Sequence, residues 1–166
     1  RRICAASKKW NIKDAVKERG IYILAELIDT HAHLDGPEYG AEKLAAVIEN
    51  ARNSGIKKII SVGCNESTSL KNVELSRANK NYIFATYGFH PHNAEEFDEH
   101  RHSRQLEELV KSSAVVAVGE IGLDYYRDLS PRDIQKKVFL KQLYMARELG
   151  FPAVIHIRDA FEDFKS

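Results

Sequence analysis

The stretch "AVGEIGLDYYRD", residues 117–128, decides how the chain is read. It closes an apolar run from Val115 to Gly119 in which no polar residue alternates, and such a run reads as a strand buried on both faces, as in the interior of a parallel sheet. Glu120 follows at once. An ionised carboxylate at that depth is costly unless it is paired or coordinates a metal. Glu120 therefore needs a cation, either a metal ion or a salt-bridge partner.

Four more short, β-branched runs flank this one: Leu27 to His31, Lys57 to Val62, Tyr82 to Tyr87 and Ala153 to Ile157. Between them the apolar spacing predicts helices at about 41–53, 67–79, 100–112 and 131–149. The last is the best punctuated. Ser130-Pro131 offers an N-cap and a proline at N1, Gly150 and Pro152 stop it, and Ile134, Val138, Leu140, Leu143, Met145 and Leu149 supply an apolar stripe. Strand then helix, recurring every 25 to 38 residues, is the signature of an α/β protein with a parallel sheet covered by helices. Five strands admit either an open doubly wound sheet or part of a (β/α) barrel. No G-x-G-x-x-G or G-x-x-x-x-G-K-[ST] stretch occurs, which weakens the nucleotide-binding form of the open sheet.

The residues that carry chemistry gather at the carboxyl ends of these strands, where both architectures bind ligands. "IDTHAHLD" (28–35) puts His31 and His33 two apart, so that on an extended chain both imidazoles leave one face and one cation can meet both. "YGFHPHNAEEF" (87–97) ends the third strand with a second such pair, His90 and His92. Strand five ends in "FPAVIHIRDA" (151–160), which delivers His156 and, two residues on, Arg158. Mixed histidine and carboxylate donors without nearby cysteines suit Zn²⁺, Mn²⁺ or a similar divalent ion rather than a structural zinc cage. A glutamate flanked by several histidines suits the bridging of two ions. His100 and His102, in "DEHRHSRQLEELV" (98–110), are expected to be solvated.

Composition sets the outer bounds. With 43% apolar and 30% charged residues, 166 residues read as one soluble globular unit, and no apolar run approaches the roughly 20 residues of a membrane span. The net charge of +1 argues against holding nucleic acid by bulk electrostatics, so any phosphate contact must be local. The charge is uneven: residues 1–20 carry seven Lys or Arg against two acids, which leaves the remainder at −4. The basic end, with a helix predicted from Asn11 to Arg19, reads as a solvated face. Cys4 and Cys64 form no C-x-x-C pattern, which fits a reducing compartment; they are given no role. The sole methionine is Met145, so the chain does not begin at its own initiator and is read as processed or as a piece of something longer.

"DTHAHLD", "GFHPH", "VGEIGLDYYRD", "SPRDIQKKVF" and "PAVIHIRDA" together resemble the TatD-related metal-dependent deoxyribonucleases of the amidohydrolase-like barrel superfamily, over about Leu27 to Asp159. The resemblance implies a TIM-barrel-type fold of which about five of eight strands are present, with residues 1–26 an extension of unknown role and 27–166 the first part of the barrel. It implies hydrolysis of DNA phosphodiesters with two divalent metal ions (Zn, Mg or Mn). His31 and His33 would bind one ion, Glu120 would bridge both, and His156 would bind the second. The family's later metal residues, on strands six and eight, have no counterpart in this chain. Glu120 and His90 are the candidate catalytic residues; His92, Tyr125, Arg127 and Arg158 are candidates for contact with the DNA, Tyr125 or Tyr126 by stacking on a base and the arginines by charge. A cytoplasmic protein, or a nuclear one in a eukaryote, with no membrane partner is expected. Two other functions stay open: a hydrolase of the same superfamily acting on another bond, and a non-catalytic truncated product that acts through another protein.

Overall fold

In the computed structural model, which describes residues 27–113 and 115–165, five strands form one parallel sheet in the order β1-β2-β3-β4-β5. They are β1 (Leu27–Ala32), β2 (Ile56–Ser61), β3 (Ile83–Tyr87), β4 (Val115–Asp124) and β5 (Ala153–Arg158). Spatial order follows chain order without a reversal, so the switch point that defines a doubly wound sheet is absent from the described residues. Right-handed crossovers taken always in one direction put every helix on the same face of the sheet. The sheet is thus a partial barrel, with its outer face under the helices and its strand ends on one rim. Ile28 and Ile155, on the two outermost strands, are exposed.

The helices α1 (Ala41–Asn53), α2 (Glu66–Ala78), α3 (Glu99–Lys111) and α4 (Arg132–Leu149) lie close to their predicted bounds. Local chemistry explains where they begin and end. Asn65 and Thr68 form a capping box at α2, Asp98 accepts from the Arg101 amide at α3, and Gly150 ends α4 in the left-handed conformation that glycine favours. A 3₁₀ helix (Pro91–Glu96) and α5 (Phe161–Lys165) complete the order. The helix expected from Asn11 to Arg19 lies outside the described residues.

Four expectations need correction. β4 does not stop at Gly119 but runs to Asp124, carrying Glu120 inside the strand. Ser130 does not cap α4; Pro131 takes that place, and the Ser130 hydroxyl donates instead to the carbonyl of His92. Leu140 is exposed because it stands two positions, about 200° of helix, from the buried Val138. His102 is buried, since with Leu106 and Leu109 it falls on the inner stripe of α3; its Nδ1 accepts the Asp98 amide and its ring packs against Phe89 and Phe97. Only His100 of that pair is solvated.

The main core joins β3 and β4 to α3 and α4 through Tyr87, Phe89, Leu106, Ile121, Leu123 and Phe139, and a smaller cluster around Ile48, Ile59 and Ile83 sits under α1. Two buried polar residues interrupt the apolar face of α4. Gln142 accepts the Phe89 N–H and donates to the Phe89 carbonyl, while Gln135 accepts the Asp124 N–H and donates to the Ser130 and Asp124 carbonyls. The helix therefore holds the backbone at the ends of β3 and β4, where the histidines and carboxylates emerge.

Candidate metal centre at the strand ends

Glu120 stands at the middle of the rim. The residue is 6% exposed, and its carboxylate is faced by imidazoles from both sides of the sheet. Oε2 lies 3.4 Å from His31 Nε2 and 3.7 Å from His33 Nε2, and Oε1 lies 3.2 Å from His156 Nδ1. Burial alone would push the Glu120 carboxyl up; the hydrogen bond from His156 and the charges of the surrounding imidazoles outweigh it and hold the group below its ordinary value.

Neighbouring strands fix this arrangement. Residue His156 pairs in register with Gly122, and a Cβ at Gly122 would fall 1.9 Å from the His156 carbonyl oxygen, so the close approach of β4 and β5 requires glycine there. The Glu120 amide donates to the Gly63 carbonyl, and Thr86 ties the Gly63 amide to the Gly119 carbonyl. His33 Nδ1 lies 3.0 Å from the Val62 carbonyl, which can only accept. The ring proton is therefore on Nδ1, and the lone pair of Nε2 faces Glu120, which is how metal-binding histidines are commonly oriented. The donor set at Glu120, imidazole nitrogens around a buried carboxylate, fits a divalent ion. His31, His33 and Glu120 offer ligand atoms that all lie within 4.8 Å of one another, and so do His90, Asp124 and His156.

Asp124 was not singled out from the sequence, and it is the most heavily engaged side chain of the site. It is fully buried. Its Oδ2 lies 2.8 Å from His92 Nε2, 3.0 Å from His156 Nε2 and 3.2 Å from Arg158 Nη2, and its Oδ1 accepts the amides of Tyr126 and Arg127. Burial opposes its charge, but the Arg127 amide, His92, His156 and Arg158 together hold the carboxyl down at about 2. His156 thus has a carboxylate against each ring nitrogen, and the bond to Glu120 raises its affinity for a proton.

The remaining candidates divide by environment. His90 is buried, its Nδ1 accepts the His92 amide, and its ring centroid is 4.4 Å from that of His156. Burial lowers its pKa to about 4. Tyr125 is packed beneath the rim: its hydroxyl donates to Asp163 and the Arg132 guanidinium covers its ring. Tyr126 is exposed, with Arg158 over its ring. Arg127 is exposed at the β4–α4 turn. Cys64, near His33, has a thiol pushed up to about 12 by burial and by the charges of Glu120 and Asp35. Also unforeseen is a buried relay in which Asn72 accepts from Ser61 and donates to Asp35, while Ser61 accepts the Leu34 amide; it moors the loop after His33.

Residues 28–166 match the family model described as TatD related DNase. A Bacillus subtilis (strain 168) protein described as "Uncharacterized metal-dependent hydrolase YabD" is 41% identical over 137 residues, which are 82% of this chain and 52% of that protein. An Edwardsiella piscicida protein described as "3'-5' ssDNA/RNA exonuclease TatD" is 34% identical over 138 residues, 83% of this chain and 52% of that one. Among solved structures, YJJV, a TatD homolog from Escherichia coli K12, superposes with a TM-score of 0.70 at 29% identity, covering 82% of this chain and 52% of its own. The chain spans about half the length of the curated relatives it matches.

Proposed function

Because the chain belongs to the TatD-related DNase family, we propose that it carries the first part of a metal-dependent site that hydrolyses phosphodiester bonds of single-stranded nucleic acid. The observation that supports this reading best is the convergence of His31, His33 and His156, from the two outer strands, on the two oxygens of one buried glutamate. His31 and His33 would hold one divalent ion, His156 a second, and Glu120 would share its carboxylate between them. Such ions lower the pKa of bound water and offset charge on a phosphate.

The chain's own residues set the stage for that chemistry. His33, oriented by the Val62 carbonyl, presents Nε2 as a ligand. In its neutral form His90 carries its ring proton on Nε2, since Nδ1 accepts the His92 amide; the ring then has no lone pair to spare and serves as a hydrogen-bond donor to a phosphate oxygen rather than as a base. Arg158 and Arg127 stand on the same rim as cations for the substrate backbone, and the exposed ring of Tyr126, not the packed Tyr125, is the surface on which a base can stack. This local charge explains how a chain of net charge +1 can take a polyanion.

The test is degradation of a 5′-labelled single-stranded DNA by the metal-free chain supplemented with Mn²⁺ or Mg²⁺, beside Glu120→Ala. Metal-dependent shortening that the variant lacks is expected. Equal turnover by both proteins contradicts the role given to Glu120.

A further inference from the structure

We propose that Asp124 is a positioning residue that fixes which nitrogen of His156 carries a proton, aims the other nitrogen at Glu120, and ties His92 and Arg158 to the same point.

The bonding count argues against the simpler alternative that Asp124 is itself a ligand. A carboxylate offers about four lone-pair directions. Five donors already meet Asp124: the amides of Tyr126 and Arg127 on Oδ1, and His92, His156 and Arg158 on Oδ2. His90 is equally engaged, because its Nδ1 accepts the His92 amide. Of the trio His90, Asp124 and His156, only His156 has a nitrogen to give, the Nδ1 that faces Glu120 at 3.2 Å.

An ionised carboxylate can only accept, so in the protonated ring both nitrogens donate, Nδ1 to Glu120 at 3.2 Å and Nε2 to Asp124 at 3.0 Å. When the ring holds one proton, the shorter bond to the fully buried Asp124 keeps it on Nε2 and leaves the lone pair of Nδ1 toward Glu120, the position a cation would take. A carboxylate behind the imidazole is the usual way in which a ligating histidine is held in one tautomer and one orientation. Asp124 can play this part because its own place is fixed: Gln135 holds its backbone amide and carbonyl, and the turn through Arg127 closes on Oδ1. Sharing Oδ2 also couples the rim, since His92 and Arg158 move with the histidine that faces Glu120.

This inference rests on the reading that His156 holds a divalent ion, and the test keeps the two apart. The full chain, ¹⁵N-labelled in histidine, is compared with Asp124→Asn by long-range ¹H–¹⁵N spectra of the metal-free protein at a pH where the rings are neutral, and by calorimetric titration with Zn²⁺. The wild type should carry the His156 proton on Nε2. In Asp124→Asn the proton should move toward Nδ1, and Zn²⁺ affinity should fall about ten- to a hundredfold with the number of ions unchanged. A wild-type ring protonated on Nδ1 overturns the proposal without recourse to any variant. Loss of one bound ion in Asp124→Asn also overturns it, by making Asp124 a ligand. A wild type that takes up no Zn²⁺ overturns the metal reading of His156, while the spectra still decide the role of Asp124.

Discussion

His156 Nδ1 lies 3.2 Å from Oε1 of Glu120, a bond that reaches from β5 to a carboxylate buried in β4. In the protonated ring this bond places a proton where the donor set favours a cation. Removing the charge of Glu120 while keeping its shape should therefore abolish the reason for the cluster: in Glu120→Gln, Zn²⁺ or Mn²⁺ affinity measured by titration calorimetry is expected to fall more than about a hundredfold. Circular dichroism of the variant should keep the wild-type spectrum, since the strand's core residues are untouched.

Acid should weaken the fold through His90. Burial depresses its pKa from 6.5 to about 4, so between those values the unfolded chain binds a proton that the native chain refuses. Stability contributed by this group is complete above pH 6.5 and declines as pH falls toward 4, with a slope of up to about 1.4 kcal/mol per pH unit. His156 acts in the opposite sense, because its pKa is raised: its contribution is present below 6.5 and is lost as pH rises through its folded value. Urea unfolding of metal-free His90→Gln across this range should show the acid slope reduced relative to wild type, and an unchanged slope would assign it to another group.

Gln142 holds both backbone groups of Phe89 inside the core. Gln142→Leu leaves that N–H and C=O buried without partners, at roughly 1–3 kcal/mol for each group. Denaturant unfolding should register a loss of about 2–6 kcal/mol, a large part of the stability of a small domain.

Glycine substitutions should separate a required close approach from an indifferent one. Gly122→Ala drives a methyl group into the His156 carbonyl at 1.9 Å, against backbone that cannot yield, whereas a Cβ at Gly40, before α1, meets nothing within 4 Å. The expected result is a thermal melt lowered severely, or no soluble product, for Gly122→Ala and a near-wild-type melt for Gly40→Ala.

Much of this was readable from the sequence because the signals are local. Runs of β-branched residues gave the strands, the two H-x-H pairs follow from the two-residue period of an extended chain, and a glutamate after an apolar run announces its need for a cation. Asp124 escaped for a physical reason. Gly119 and Gly122 suggest that β4 is ending, yet they are there to let β5 approach, and the strand continues to Asp124. The signal that was present is the spacing of Glu120 and Asp124, four apart and hence on one face of a continuing strand. Gln135 and Gln142 were hidden in the same manner, as polar residues on a helix stripe whose partners are backbone atoms some 11 and 53 residues away. His102 sits among charges, but its spacing to Leu106 and Leu109 marks the buried face.

Anomalous diffraction from crystals of the chain grown with Zn²⁺ tests the central claim most directly. The account predicts a peak about 2.0–2.2 Å from a carboxylate oxygen of Glu120 with imidazole nitrogen of His31, His33 or His156 at similar range. Zinc bound only elsewhere, with Glu120 still bonded to His156 alone, would contradict it.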